Sequence, residues 1–100
     1  MFVIHQGDDL MIPFEIAQNS TPIKPEDVLD VRICIGNIVR SYSKGELIYY
    51  DNAFLFHLTN KDSAKMLGLV ECQLEIKYNS NEIHSQTIPI KFAKTQAGLL

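Results

Sequence analysis

AFLFHLTNKDSAKMLGLVECQLEIKYNSNEIHSQTIPIKF, residues 53–92, is the stretch from which the fold of this chain can be inferred. In its first part, Ala53–Thr59, apolar side chains recur at every second position, which predicts a half-buried β-strand. Thr59 and Asp62 then have the spacing of a capping box. This spacing predicts one short helical turn near 60–67, too short to be stable alone.

A long hairpin is predicted to follow the turn. Residues 69–78 alternate strictly, and the last strand keeps its apolar side chains on even numbers as well. The inward side chains are Val70, Cys72, Leu74, Ile76, Tyr78, Ile88, Ile90 and Phe92. Directly opposed residues of an antiparallel pair share a face, so paired numbers must add to an even sum. We therefore expect a loop with an odd number of residues, such as 80–82, or a bulge, with Asn81 in the left-handed conformation.

Two features of the strands mark candidate contact residues. Pro89 cannot donate a hydrogen bond to a neighbouring strand, so one side of the last strand is predicted to be an open edge or a bulge. The segment Leu47, Ile48, Tyr49 and Tyr50 is apolar on both faces. One face should be core, and the other is either a contact surface or is covered by a neighbouring loop. These five residues are the candidate interface.

Length and composition restrict the remaining possibilities. One hundred residues, 46% of them hydrophobic, predict a single β-domain at 1–93 with a short C-terminal tail at 94–100. A net charge of −3 without a basic stripe argues against nucleic-acid binding. No apolar run approaches the roughly 20 residues of a membrane span. The N-terminus lacks a signal-peptide pattern, so we expect synthesis in the cytoplasm unless export uses another route.

Residue types that carry chemistry are present but not arranged for it. No nucleophile motif, phosphate loop, dinucleotide motif or zinc spacing occurs, so the sequence predicts no catalytic residues, no cofactor and no metal. Glu71 and Glu75 share the outward face of one strand, which is typical of a solubilising face. Cys34 is predicted to face outward and Cys72 inward, and both are predicted to be free thiols.

Further strands are predicted before this stretch, at Phe2–Gln6, Met11–Gln18 and Asp30–Ser41, the last interrupted at Gly36–Asn37 by a bulge or a real break. The total is about seven strands with one short helical turn. This pattern favours an all-β fold, an antiparallel Ig-like β-sandwich. The chain has no tryptophan, so "Ig-like" refers to architecture only.

Several segments carry a resemblance to a known family. They are Gln6-Gly7-Asp8, Thr21-Pro22-Ile23, residues 28–33, the pattern F-x-L-T-x-x-D-S at 56–63, and the strand at 70–77. In this combination the chain resembles the N-terminal immunoglobulin-like domain of phage baseplate upper proteins and similar small tail-associated domains of phages and prophages of Gram-positive bacteria. Those proteins continue into coiled-coil and further domains, whereas this sequence has 100 residues.

The resemblance implies a non-enzymatic structural protein of a virion tail or baseplate. Its partners would be other tail or baseplate subunits, with a homo-oligomer possible, and it would reside in the virion. A carbohydrate- or ligand-binding β-sandwich module is the alternative, with tyrosine rings such as Tyr42 and Tyr78 for stacking. An enzyme is the third hypothesis, and it would require a pocket with converging polar groups and shifted pKa values.

Overall fold

Residues 2–94 are described by a computed structural model of the chain. They form a predominantly β structure with one short α-helix and one 3₁₀ turn at Pro25–Asp27. The strands are β1 Phe2–His5, β2 Leu10–Phe14, β3 Ala17–Gln18, β4 Thr21–Pro22, β5 Asp30–Ile35, β6 Ile38–Ser41, β7 Ile48–Tyr50, β8 Ala53–Leu58, β9 Gly68–Lys77 and β10 Ile83–Ala93, and the helix is α1 Asn60–Ser63.

The predicted strand, cap and helical turn are confirmed in β8 and α1. Thr59 caps the helix, because its Oγ1 accepts a hydrogen bond from the Asp62 amide at 3.2 Å. The Asp62 carboxylate accepts in return from the Thr59 amide at 3.4 Å. The helix ends at Ser63, earlier than the predicted limit of 67. Gly68, at φ +79°, then turns the chain into β9, which suits a residue without a Cβ.

The hairpin of β9 and β10 has the predicted parity. Ile83 lies opposite Lys77 and Ile88 opposite Cys72, so paired numbers add to an even sum. The Tyr78 amide bonds the Glu82 carbonyl at 2.9 Å, which leaves residues 79–81 as the loop rather than 80–82. Asn81 has φ +69°, the expected left-handed conformation.

Strand pairing departs from the predicted fold in two ways. The five-stranded sheet has the order β1-β10-β9-β5-β6, and β1 pairs with β10 in parallel, so this sheet is mixed rather than antiparallel. A second sheet has the order β2-β8-β7, and β3 pairs with β4. The described residues thus hold ten strands rather than the predicted seven, because the segment at 30–41 divides into β5 and β6 and because β3 and β4, of two residues each, are too short to show an alternating pattern.

The two larger sheets share one hydrophobic core. Its fully buried side chains come from β1, β5, β8, β9 and β10, and they include Ile4, Ile33, Phe54, Phe56, Cys72 and Phe92. Gly36 and Asn37 form the turn between β5 and β6, so the break in that alternating segment is real. Cys34 is half-buried, Cys72 is buried, and both are free thiols, as predicted. Of the predicted tail at 94–100, residues 95–100 lie outside the described part.

Candidate functional site

The segment at 47–50 divides its side chains between two environments. Leu47 is 3% exposed and belongs to the core. Tyr49 is half-buried and packs edge-on against Phe54, with ring centroids 4.9 Å apart. Ile48 and Tyr50 point the other way and are 57% and 70% exposed. Of the four predicted contact residues in this segment, Ile48 and Tyr50 therefore present most of their side chains to a partner.

Ile48 and Tyr50 are part of a larger apolar surface on the outward side of the three-stranded sheet. The strand register places Pro13, Leu55 and Ile48 in one row across β2, β8 and β7. Met11, 41% exposed, is two residues from Pro13 on β2 and points to the same side. Met11, Pro13, Ile48, Tyr50 and Leu55 are called the apolar face below. Sequence patterning identified only its β7 part, because the other members come from different strands.

An exposed hydrogen-bonded pair of polar side chains borders the apolar face. His57, which lies opposite Met11, contacts the Asp9 carboxylate through Nε2 at 2.8 Å. This hydrogen bond, with a weaker one from the Asn60 amide, holds the pKa of Asp9 below its ordinary value. Both side chains are 53% exposed, so the pair is solvated and not enclosed in a pocket. It gives the apolar face a polar rim at one end.

Pro89 lies at the point where the edge of β10 changes from covered to open. Phe2 of β1 pairs with Ile90, the residue directly after Pro89. On its other side β10 pairs with β9 along the whole length from Ile83 to Phe92. Within residues 2–94, β10 has a second neighbour only from Ile90 onward, so the predicted open edge is confirmed.

A cleft that sequence reasoning missed lies between β10 and β2. It consists of two adjoining cavities of about 300 and 290 Å³, both lined by Glu15, Leu74 and Gln86. The inward positions of β10 explain it, because they change from apolar Ile88, Ile90 and Phe92 to polar Gln86 and His84 toward the hairpin loop. This change from apolar to polar residues is visible in the sequence. It could not by itself predict a cleft, because the cleft also requires β2 to lie opposite β10.

Other polar groups are paired rather than gathered into a reactive site. His84 packs edge-on against the Tyr78 ring at 5.0 Å and contacts Glu82 at 3.2 Å. Burial raises the pKa of the Cys72 thiol to about 11, so the thiol stays neutral at physiological pH. Among residues 2–94, no group of three or more His, Cys, Asp or Glu side chains is placed to hold a metal ion.

The tyrosines do not form a stacking platform. Tyr42 and Tyr49 both pack edge-on against Phe54 from the core side, and Tyr78 packs against His84. Tyr50 is on the opposite side of β7 from Tyr49 and is 70% exposed. Its ring is available for contact, but the others are at least partly covered by neighbours.

Comparison of the chain with protein-family models, with curated proteins and with solved structures gave no match. The features on which a function can be argued are therefore those of the chain itself. In the described residues 2–94 there is also no helix of the length and hydrophobicity that a membrane crossing requires.

Proposed function

We propose that this protein is a non-enzymatic assembly subunit, a phage or prophage tail or baseplate component built on an Ig-like β-sandwich, which acts through protein–protein contacts. The observation that carries the proposal is the apolar face. Solvent-facing sides of antiparallel sheets are ordinarily polar, whereas this one exposes Met11, Ile48 and Tyr50 around a row of Pro13 and Leu55.

The composition of the apolar face fits an interface core. Such cores are depleted in charged residues and enriched in aromatic residues and methionine, with a polar rim around them. The face has Tyr50 and Met11 among its members, no charged residue, and the Asp9–His57 pair at its border. Contiguous exposed apolar surface of this kind marks interaction sites.

The assignment to a tail or baseplate rests on the resemblance described above. Its most characteristic segment, F-x-L-T-x-x-D-S at 56–63, corresponds to the end of β8 followed by the capped helix α1. The Thr59 cap and the buried Ser63, whose hydroxyl donates to the Asp8 carbonyl at 2.7 Å, account for the polar residues of that pattern. The partners we propose are other tail or baseplate subunits, with a second copy of this chain as the simplest.

Light scattering over a concentration series tests self-assembly through this face. We expect the mass to rise above the 11.4 kDa of one chain for the wild type and to stay near it for Ile48→Lys and Tyr50→Lys. A lysine there must be desolvated when the face is covered, which weakens the contact. Gln73→Lys, an exposed outward position on β9, is the matched control and should assemble like the wild type.

Two results would contradict self-assembly through the apolar face. If the wild type assembles and both lysine variants assemble equally well, the apolar face is not the contact. If the wild type is a single chain at every concentration, self-assembly through this face is wrong. Thermal denaturation of each variant shows whether the domain is still folded, so a loss of assembly is not confused with unfolding.

A further inference from the structure

The open side of β10 leaves a row of backbone groups without a strand partner in the described part of the chain. Residues 83–89, called the open edge below, pair with β9 on one side and lie beyond the end of β1 on the other. An unpaired strand edge is a template for another strand, and natural proteins usually block it. The open edge is the longest such segment of the two larger sheets within residues 2–94.

The hydrogen-bond pattern shows which groups of the open edge are available. In an antiparallel pair, alternate residues direct both backbone groups toward the partner strand. The bond from the Tyr78 amide to the Glu82 carbonyl assigns the even residues of β10 to β9. The odd residues point the other way, and the Gln6 amide accordingly bonds the Ala93 carbonyl at 2.8 Å. Ile83, Ser85 and Thr87 thus present N–H and C=O groups outward, whereas Pro89 presents only C=O.

The open edge also lacks the side chains that normally prevent strand addition. Residues 83–89, IHSQTIP, include no Asp, Glu, Lys or Arg. The unpaired edge of β6 carries Arg40, and that of β2 contains Pro13 within only five residues. On the open edge, Pro89 lies at the end next to β1 and leaves the donors of Ser85 and Thr87 in place.

The cleft beneath the open edge can receive the side chains of an added strand. It lies on the inward side of β10, between Gln86 and Ile88 on that strand and Ile12, Phe14 and Ile16 of the region around β2. Successive side chains of a strand point to opposite faces. A strand paired with Ser85 and Thr87 would therefore place every second side chain in the cleft. Among the lining residues in the described part of the chain, Glu15 is the only Asp, Glu, Lys or Arg, which favours a basic side chain in the ligand.

β1 shows how this side of β10 accepts a strand. It pairs with Ile90–Ala93, places Ile4 in the core at 1% exposure, and leaves Val3 outward at 50% exposure. A ligand strand beside residues 83–89 would continue the line of β1 with the same alternation. The pairing of β1 therefore indicates where an added strand would lie and which of its side chains would face inward.

A second copy of this chain does not fit the whole open edge. A symmetric antiparallel pairing of residues 83–89 would place Ile90 of the second copy opposite Glu82. Phe2 lies beside Ile90 on that same side of β10. β1 of the second copy would then occupy the position of Glu82 and the hairpin loop. A strand without its own β1 does not have this clash.

We propose that the open edge and the cleft form a strand-addition site for an extended segment of a different protein. The segment spans about seven residues, which matches the length of the open edge. It is extended, because strand addition to a sheet edge requires an extended chain. It has apolar side chains at alternate positions facing the cleft and a lysine or arginine near Glu15. Pro13 lines the cleft and also belongs to the apolar face, but the open edge contributes no residue to that face. The inference therefore goes beyond the proposed function and does not depend on it.

A synthetic peptide titrated into the isotope-labelled protein tests the proposal by nuclear magnetic resonance. The probe is a capped heptapeptide in which threonine alternates with valine or isoleucine. It is made in two versions, one with a lysine at the N-terminus and one with a lysine at the C-terminus. We expect at least one version to bind saturably at peptide concentrations of up to about 1 mM. The Ser85 and Thr87 amides should shift and exchange more slowly with solvent. The same peptides with alternate amides N-methylated, which cannot pair with an edge, should not bind.

Variants distinguish pairing from general stickiness. Thr87→Pro removes one outward N–H and should weaken binding about tenfold, as expected for lost backbone bonds. Thr87→Ser keeps that N–H and should bind like the wild type. Ser85→Pro is a second variant in case Thr87→Pro disturbs the fold. Tyr50→Lys, on the apolar face, should not change binding, so this test does not depend on the proposed function.

Three results would overturn the inference. One is the absence of binding by either peptide, and another is equal binding of the N-methylated peptides. The third is binding whose amide changes fall on the apolar face instead of β10, because that would identify a nonspecific apolar contact.

Discussion

The outward faces of the two larger sheets obey the same alternation and differ in chemistry. The five-stranded sheet directs mostly polar and charged side chains outward from its middle strands, with exposed Leu69 and Ile83 at opposite ends of the hairpin. The polar and charged ones include Asp30, Arg32, Glu71, Gln73, Glu75, Lys77, Ser85, Thr87 and Lys91. The three-stranded sheet directs the apolar face outward. Period-two alternation therefore shows which side chains point away from the core. It does not show whether the outward side is exposed to solvent or covered by a partner.

A charged pair on the outward face of the five-stranded sheet supports the interpretation that this face is solvated. Arg32 donates from Nε to the Glu75 carboxylate at 2.7 Å across β5 and β9, and the pair is partly exposed. On the three-stranded sheet, within residues 2–94, the Asp9 carboxylate pairs instead with the imidazole of His57, at the border of the apolar face. This difference makes the three-stranded sheet the stronger candidate for a permanent contact.

Thiol labelling should give the largest contrast between inward and outward positions. Cys34 and Cys72 lie on neighbouring strands, half-buried on the outward side and buried in the core respectively. At about pH 8 we expect a disulfide reagent to modify Cys34 first and Cys72 only through unfolding. Burial raises the pKa of Cys72 to about 11. Its labelling should therefore be slower by about 10³-fold or more.

The fully unfolded protein is the control, in which both thiols should react at similar rates. Equal rates in the folded protein would show that the β5–β9 pair opens locally.

The raised pKa of Cys72 also has a consequence for stability. The buried, neutral Cys72 thiol contributes to the free energy of unfolding. This contribution is fully present below the pKa that Cys72 has in the unfolded chain, and it is lost as the pH rises through about 11.

Truncation on the two sides of β7 and β8 should give the next largest difference. Phe54→Ala removes a fully buried ring that packs against Tyr42 and Tyr49, and should lower the free energy of unfolding by about 3–5 kcal/mol. Ile48→Ala, on the apolar face, should change it by no more than about 0.5 kcal/mol in the isolated chain. Urea denaturation measures both. A large effect of Ile48→Ala would mean that the apolar face is already covered within one chain.

A double-mutant cycle on Arg32 and Glu75 should give a smaller effect. The pair is partly exposed, so we expect a coupling free energy of about 0.2–1 kcal/mol that decreases as salt is added. The variants are Arg32→Ala, Glu75→Ala and the combination, compared by urea denaturation. A coupling well above this range would show that the outward face of the five-stranded sheet is more enclosed than its exposure indicates.

The smallest expected effect is the pH dependence of the Asp9–His57 pair. The hydrogen bond from His57 lowers the folded-state pKa of Asp9 below 3.8. Its stabilising contribution is therefore present above the unfolded pKa and is lost as the pH falls through the folded pKa. Asp9→Asn should slightly reduce the change in melting temperature between about pH 6 and pH 3. An unchanged pH dependence would mean that solvent already screens this pair.

Local features were predictable because they depend on neighbours in the sequence. The cap at Thr59, the even parity of the β9–β10 hairpin and the positive φ of Asn81 each follow from a few adjacent residues. The candidate contact residues were only partly predictable, because they come from strands that are not neighbours in the sequence. Pro89 and the outward side chains of β7 were recognised, but Met11 and Pro13 joined them only through pairing with β8.

Where the longer strands alternate, where the β9–β10 hairpin turns and which side chains of those strands point inward could all be inferred from the sequence, since side-chain period and backbone φ are properties of short segments. Which strands lie side by side could not be inferred in this way. The parallel pairing of β1 with β10 and the position of β2 over the cleft join segments far apart in the chain. Their choice depends on how the whole core packs, because the entropy of closing long loops must be offset by burial that no single segment provides.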